Sequence, residues 1–222
     1  MPLPFDPPAF DTAVRADYHR VGGPSRFAWW RVILEALRNK TFAPVFTIRL
    51  CQYYSDRRTV WAALGFAGAR GLHRWSCGRA GVELPWSLDL REGLLIVHGF
   101  GLVVNGGAVI GSNVTLCHGV TLGGRDTGAE GERTILLPSV GDDVYIGPGA
   151  LILGCHVGAG SFVSPMSVVV QSVEPRSLIT PPVAIVRRTD FRFEPINRWP
   201  GESTSGDGAP RPAFLQRPPA TD

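Results

Sequence analysis

Between residues 104 and 169 aliphatic side chains recur at every sixth position, a period that suits few folds. Val104, Ile110, Leu116 and Leu122 set the spacing; after an interruption Val140, Ile146 and Ile152 resume it, and a one-residue slip leads into Val157, Val163 and Val169. Four residues after most of these anchors stands a small or β-branched residue: Ala108, Val114, Val120, Val144, Ala150, Ser161 and Ser167. Glycine directly follows the anchors at 111, 123, 141, 147 and 158. A period of six matches neither a helix nor an ordinary hairpin plan; it predicts a parallel β-helix in which each hexapeptide is one side of a triangular coil. The anchor points inward and stacks on its counterpart in the next coil, while glycine, asparagine or aspartate eases the corner. Each fully buried Val, Leu or Ile contributes roughly 1.5 to 3 kcal/mol, so stacking is the main stabilising effect.

Outside the repeat the composition changes. Residues 10 to 80 lack the hexapeptide pattern and hold helix-like stretches, Phe27 to Leu37 and Val60 to Trp75, predicting a helical N-terminal region over 1–82. The β-helix domain is expected over 83–188 and a flexible tail over 189–222, where Pro, Gly, Ser and Thr dominate. The fold class expected is therefore mainly β, with a helical annex. At 222 residues, 44% hydrophobic, the chain can bury one good core. It has no run of 18 apolar residues, and residues 1 to 10 carry four prolines where a secretory leader needs a basic start and an apolar stretch, so a cytoplasmic protein is expected. Cys51, Cys77, Cys117 and Cys155 lie far apart, as reduced structural thiols do; no metal is expected.

The net charge of +3 gives little support to nucleic-acid binding. Arginines 49, 57, 58, 70, 74 and 79 are interleaved with tryptophan and aliphatic residues before position 80. That mixture suits a peripheral membrane contact, a subunit contact or, most simply, a solvated helix face.

The repeat breaks for a glycine-rich loop, 123–139, and then resumes; a long loop in a compact domain is usually functional. No phosphate-binding glycine loop, nucleophile elbow or helical metal-binding histidine pair occurs. Three histidines, His98, His118 and His156, fall in the repeat region. His98 lies six before Val104, formally an anchor position, so a buried, hydrogen-bonded histidine is the alternative to a reactive one.

The run from Gly93 to Val170, with VHGFGLVV, HGVTLGG at 118–124, the loop, and PSVGDDVYIGPGALILG, resembles the serine acetyltransferase family of hexapeptide-repeat acyltransferases. The resemblance implies a left-handed β-helix, a homotrimer, acetyl-CoA as donor and active sites in clefts between adjacent β-helices. It places the catalytic histidine on His98 and its carboxylate partner on Glu83, fifteen residues earlier. By position in the repeat, His118, two residues past the Leu116 anchor, is the runner-up base or an acceptor contact, and His156, on the slip in register, is a corner residue. Histidine suits removal of a hydroxyl proton near neutral pH, and a carboxylate on the other ring nitrogen would fix its tautomer. Backbone N–H groups near Gly123 and Gly124 would hold the oxyanion. Gly147, Gly149 and Ala150 would form the wall for the pantetheine arm, and Arg187 and Arg188 would meet the CoA phosphates.

Departures from the family pattern bear on the acceptor. The aspartate expected before the histidine is Val97, and the Arg-His pair expected before Pro138 is Leu136 and Leu137. Losing charge partners for an amino acid costs several kcal/mol, about 2 to 5 per buried pair, which points to the branch that acetylates a saccharide or similar small hydroxyl acceptor. L-serine is the alternative. A non-catalytic trimeric scaffold is a third reading, because Pro148 and Pro165 stand where donor-groove alanines are expected and proline has no N–H.

Overall fold

The computed structural model describes residues 9–22, 27–57, 59–128 and 134–182; Arg58, Arg187, Arg188 and the tail expected over 189–222 lie outside them. Residues 83–179 wind into a left-handed parallel β-helix of five triangular coils. Coil 1 runs from Glu83 through β1 (Asp89–Leu90) and β2 (Leu95–Val97), and coil 2 through β3 (Val103–Val104), β4 (Val109–Ile110) and β5 (Thr115–Cys117). Coil 3 starts with β6 (Thr121–Gly123). It is interrupted by an antiparallel pair, β7 (Arg125–Asp126) and β8 (Ile135–Leu136), and closes with β9 (Ser139–Val140) and β10 (Tyr145–Ile146). Coil 4 holds β11 (Leu151–Leu153), β12 (His156–Val157) and β13 (Phe162–Val163); coil 5 holds β14 (Val168–Val169), a single bridge at Val173 and β15 (Leu178–Ile179).

All ladders between coils are parallel, and their register is the hexapeptide pattern made spatial. On the first face Val104, Leu122, Ile152 and Val169 are partners, on the second Leu90, Ile110, Val140 and Val157, and on the third Ile96, Leu116, Ile146, Val163 and Ile179. All but Ile179 are buried. The one-residue slip falls on the corner between β11 and β12 and has a steric cause. The stem of the loop folds over that corner, so that a Cβ on Gly154, whose φ is 57°, would lie 2.6 Å from Arg125 Cβ and 2.9 Å from the Leu136 carbonyl oxygen. A shorter, side-chain-free corner leaves room for the stem.

The N-terminal region forms α1 (Phe10–Gly22), α2 (Trp29–Arg38), α3 (Phe42–Ser55) and α4 (Val60–Ala80). Thr59 Oγ1 accepts from Ala62 N–H at the start of α4, and Gly81, in the left-handed region, ends it. The first coil has no coil beneath it, and side chains of the helices take the bonds a further coil would supply. Arg49 on α3 donates to the carbonyls of Leu90 and Arg91, and Gln52 donates to that of Leu88. Asp17 on α1 accepts from the N–H groups of Gly93 and Leu94 and is paired with Arg49 at 2.8 Å. Both members of the pair are buried. Burial pushes the Asp17 carboxyl above its usual range, with Arg49 and the two backbone donors pulling the other way.

Candidate active site

Every coil returns from its third face to its first across one edge, and on this edge the structure brings together five of the ten candidate site residues, His98, His118, Gly147, Gly149 and Ala150. In coil 2 the buried anchors flanking the edge, Leu116 and Leu122, are six apart; in coil 1 they are Ile96 and Val104, eight apart. Ile96 therefore holds the anchor place in register with Leu116, and His98 does not. The wider corner makes room for His98 and Gly99 as extra residues. His98 is thrown out of the coil with φ 61° and an exposed side chain. Gly99, φ 43°, turns the chain back under α2 and α3, where a Cβ would lie 3.1 Å from Thr41, 3.2 Å from Ile96 and 3.3 Å from Val82. Extra residues in regular β structure re-aim side chains in this way, often beside reactive sites.

His118 occupies the same edge one coil on, exposed, its ring edge-on to that of His98 with centroids 6.0 Å apart. Its carbonyl accepts from Gly149 N–H at 3.0 Å, just as the Phe100 carbonyl accepts from Gly119 and the Pro148 carbonyl from Met166. Phe100, His118 and Pro148 are thus successive rungs of one ladder. Gly147, Gly149 and Ala150 lie on it too, with their N–H groups already given to the carbonyls of Val163, His118 and Gly147. They have no spare donors; Gly147 is buried, and Gly149 is half-buried with the exposed Met166 side chain beside it. The missing N–H of Pro148 therefore loses its weight against ligand binding, since its neighbours have none to give either. Ala150 itself faces the core.

Other expected members stand elsewhere. Gly123 and Gly124 sit at the far end of the first face, beside the loop stem, with Gly123 in register with Leu153 and its carbonyl bonded to Gly154 N–H. Within one chain they do not share the histidine edge. Glu83 bridges Val103 on the first face, is exposed and lines a groove of about 770 Å³ under α4 with Arg70, Arg74 and Trp86. Among the described residues no hydrogen bond joins it to His98. His156 is a strand residue of β12, not a corner: with the corner one residue short, it falls where the strand begins, and its Nδ1 lies 2.8 Å from Ser139 Oγ. Val97 is half-buried beside Cys117, and Leu136 and Leu137 are exposed on the loop stem.

Two features of the edge went unread in the sequence. Phe100 projects next to His98 with 74% of its surface open, and the eight-residue gap from Ile96 to Val104 marks the widened corner.

No family model matches the chain. It is 39% identical over 101 residues to serine acetyltransferase 4 of Arabidopsis thaliana, covering 45% of this chain and 27% of that protein. It is 33% identical over 144 residues to the serine acetyltransferase of Staphylococcus aureus, covering 60% and 65%. Among solved structures, soybean serine acetyltransferase complexed with serine superposes with a TM-score of 0.59 at 30% identity, over 81% of this chain and 70% of that one. The chain thus spans about a quarter to two thirds of the length of the relatives matched by sequence.

Proposed function

We propose that this chain, which belongs to the serine acetyltransferase family of hexapeptide-repeat proteins, moves an acetyl group from acetyl-CoA to the hydroxyl of a small acceptor. The observation that carries the reading is the widened corner: it exposes the His98 imidazole beside a second imidazole, on an edge continued by Gly147 and Gly149.

In this reading His98 accepts the proton of the acceptor hydroxyl as its oxygen forms a bond to the thioester carbonyl carbon. The tetrahedral intermediate then collapses, the carbon–sulfur bond breaks and the imidazolium returns the proton to the departing CoA sulfur. His118 contacts the acceptor or its developing charge. Glu83 meets the free ring nitrogen of His98 once ligand closes the site, catalytic hydrogen bonds being commonly loose without it. Gly123 and Gly124, an edge away in the same chain, would reach the histidines of a neighbouring chain, which is the arrangement a homotrimer with clefts between β-helices requires.

L-serine is the first acceptor to test, since the relatives are named for it. The saccharide acceptor expected from the sequence is named by none of them. One observation keeps an uncharged hydroxyl compound as the second reading: Val97, Leu136 and Leu137 present only methyl groups where an amino acid's charges need partners. CoA release is measured with L-serine and with a panel of sugars. Saturable release with L-serine supports the first reading, release with sugars alone the second, and release with neither, together with no calorimetric binding of CoA, leaves the scaffold. His98→Ala is expected to lower turnover about 10²- to 10⁴-fold; full turnover in that variant sinks the assignment.

A further inference from the structure

The helices carry a surface that acyl transfer does not use. On α4 the side chains at 61, 64, 72 and 75 form one helical stripe, and Trp61, Leu64, Leu72 and Trp75 are all exposed, Trp61 by 82% and Trp75 by 57%. On α2 a second stripe is formed by Trp30, Ile33 and Leu37, exposed by 63%, 52% and 65%. Arg79 links the two, its guanidinium over the Trp75 ring and within 3.4 Å of the Leu37 carbonyl. Apolar stripes of this size are not left in water without reason.

The charge around them says what covers them. Residues 27–80 contain nine basic residues against two acidic ones, Glu35 and Asp56; Arg49 is buried in its pair with Asp17, which leaves eight others, whereas the rest of the chain is net acidic. Helix α4 has three arginines and no acidic residue. A second copy of the same face would bring like charge against like charge. The segment 183–222, with six basic and five acidic residues, offers no complement either.

From this we infer that the α2 and α4 face docks on an anionic lipid bilayer. The tryptophans would enter the headgroup boundary while the arginines extend to lipid phosphates, the division of labour of interfacial amphipathic helices. None of the described helices is long and apolar enough to cross a membrane, so the contact is peripheral. The inference does not depend on the transfer reaction.

The test is co-sedimentation of the full chain with phosphatidylcholine vesicles containing roughly 30% phosphatidylglycerol, against pure phosphatidylcholine, at low and high salt. Binding is expected to the anionic vesicles only, to fall with salt, and to shift tryptophan emission to the blue. Arg79→Glu, at the residue that links the two stripes, should weaken it more than about fivefold, the equivalent of at least one surface charge. Trp61→Ala, at a site too exposed to matter for folding, should weaken it at unchanged circular dichroism. Absence of sedimentation with anionic vesicles overturns the inference. So does binding that Trp61→Ala leaves untouched, which is mere adsorption of a basic protein. A concentration-dependent self-association abolished by Trp61→Ala, without vesicle binding, overturns it in favour of a second copy.

Discussion

Two buried polar side chains of the helical region govern stability in ways that can be measured singly. Arg49 is held by Asp17 and by two carbonyls of the first coil, so Arg49→Met leaves a carboxylate buried with no cation. A loss of about 3 to 5 kcal/mol is expected in urea unfolding, the cost of orphaning one member of a buried pair. His73 donates from Nε2 to the Leu84 carbonyl at 2.7 Å and lies 2.9 Å from Thr47 Oγ1 through Nδ1. Burial holds it below the usual histidine value of 6.5, against two backbone hydrogen bonds that raise it. The unfolded chain therefore takes up a proton that the folded chain refuses. Its stabilising contribution is complete above pH 6.5 and is lost as the pH falls toward the depressed folded value. Urea midpoints should fall between pH 8 and pH 5, and His73→Gln should flatten that dependence, leaving the titration of other groups. Neither role was legible beforehand. Asp17 and Arg49 are 32 residues apart on different helices, and only the tertiary fold makes them partners.

Among the elements, the hexapeptide strands could be read one by one, because each buried anchor is an aliphatic residue in a fixed period and the register follows from it. The corners could not, since their lengths answer to what packs outside the coil. At 154 that is the loop stem, and at 99 it is the α2–α3 junction. Gly154→Ala tests the first. With φ 57° and a new methyl group 2.9 Å from the Leu136 carbonyl, it should displace the stem and lower stability by about 1 to 3 kcal/mol. Protease cleavage within 124–137 should accelerate while the far-ultraviolet spectrum of the β-helix stays as it is. Equal cleavage rates in the variant and the parent would show that the stem does not rest on that corner. The resemblance placed His98, but the period alone placed it inside the coil, because counting back from Val104 assumes corners of constant length.

At the scale of the molecule, a solenoid needs its ends closed, and here the helices close the first end by supplying donors and acceptors to residues 88–94. A chain beginning at residue 82 would expose those groups together with the apolar floor of coil 1. It should elute as large aggregates on size exclusion with light scattering, where the full chain gives a discrete species. A well-behaved truncated protein would mean that the coils stand without their cap.

The edge that carries His98, His118 and Gly149 also behaves as a ruler. Neighbouring parallel strands are about 4.8 Å apart, so the first and third rungs are separated by about 10 Å. In the proposed reaction, a donor that rests along Gly147 and Gly149 and presents its carbonyl at His98 would have to be slender and extended over that span. A stubby activated acyl compound, however reactive, would touch one landmark and miss the other.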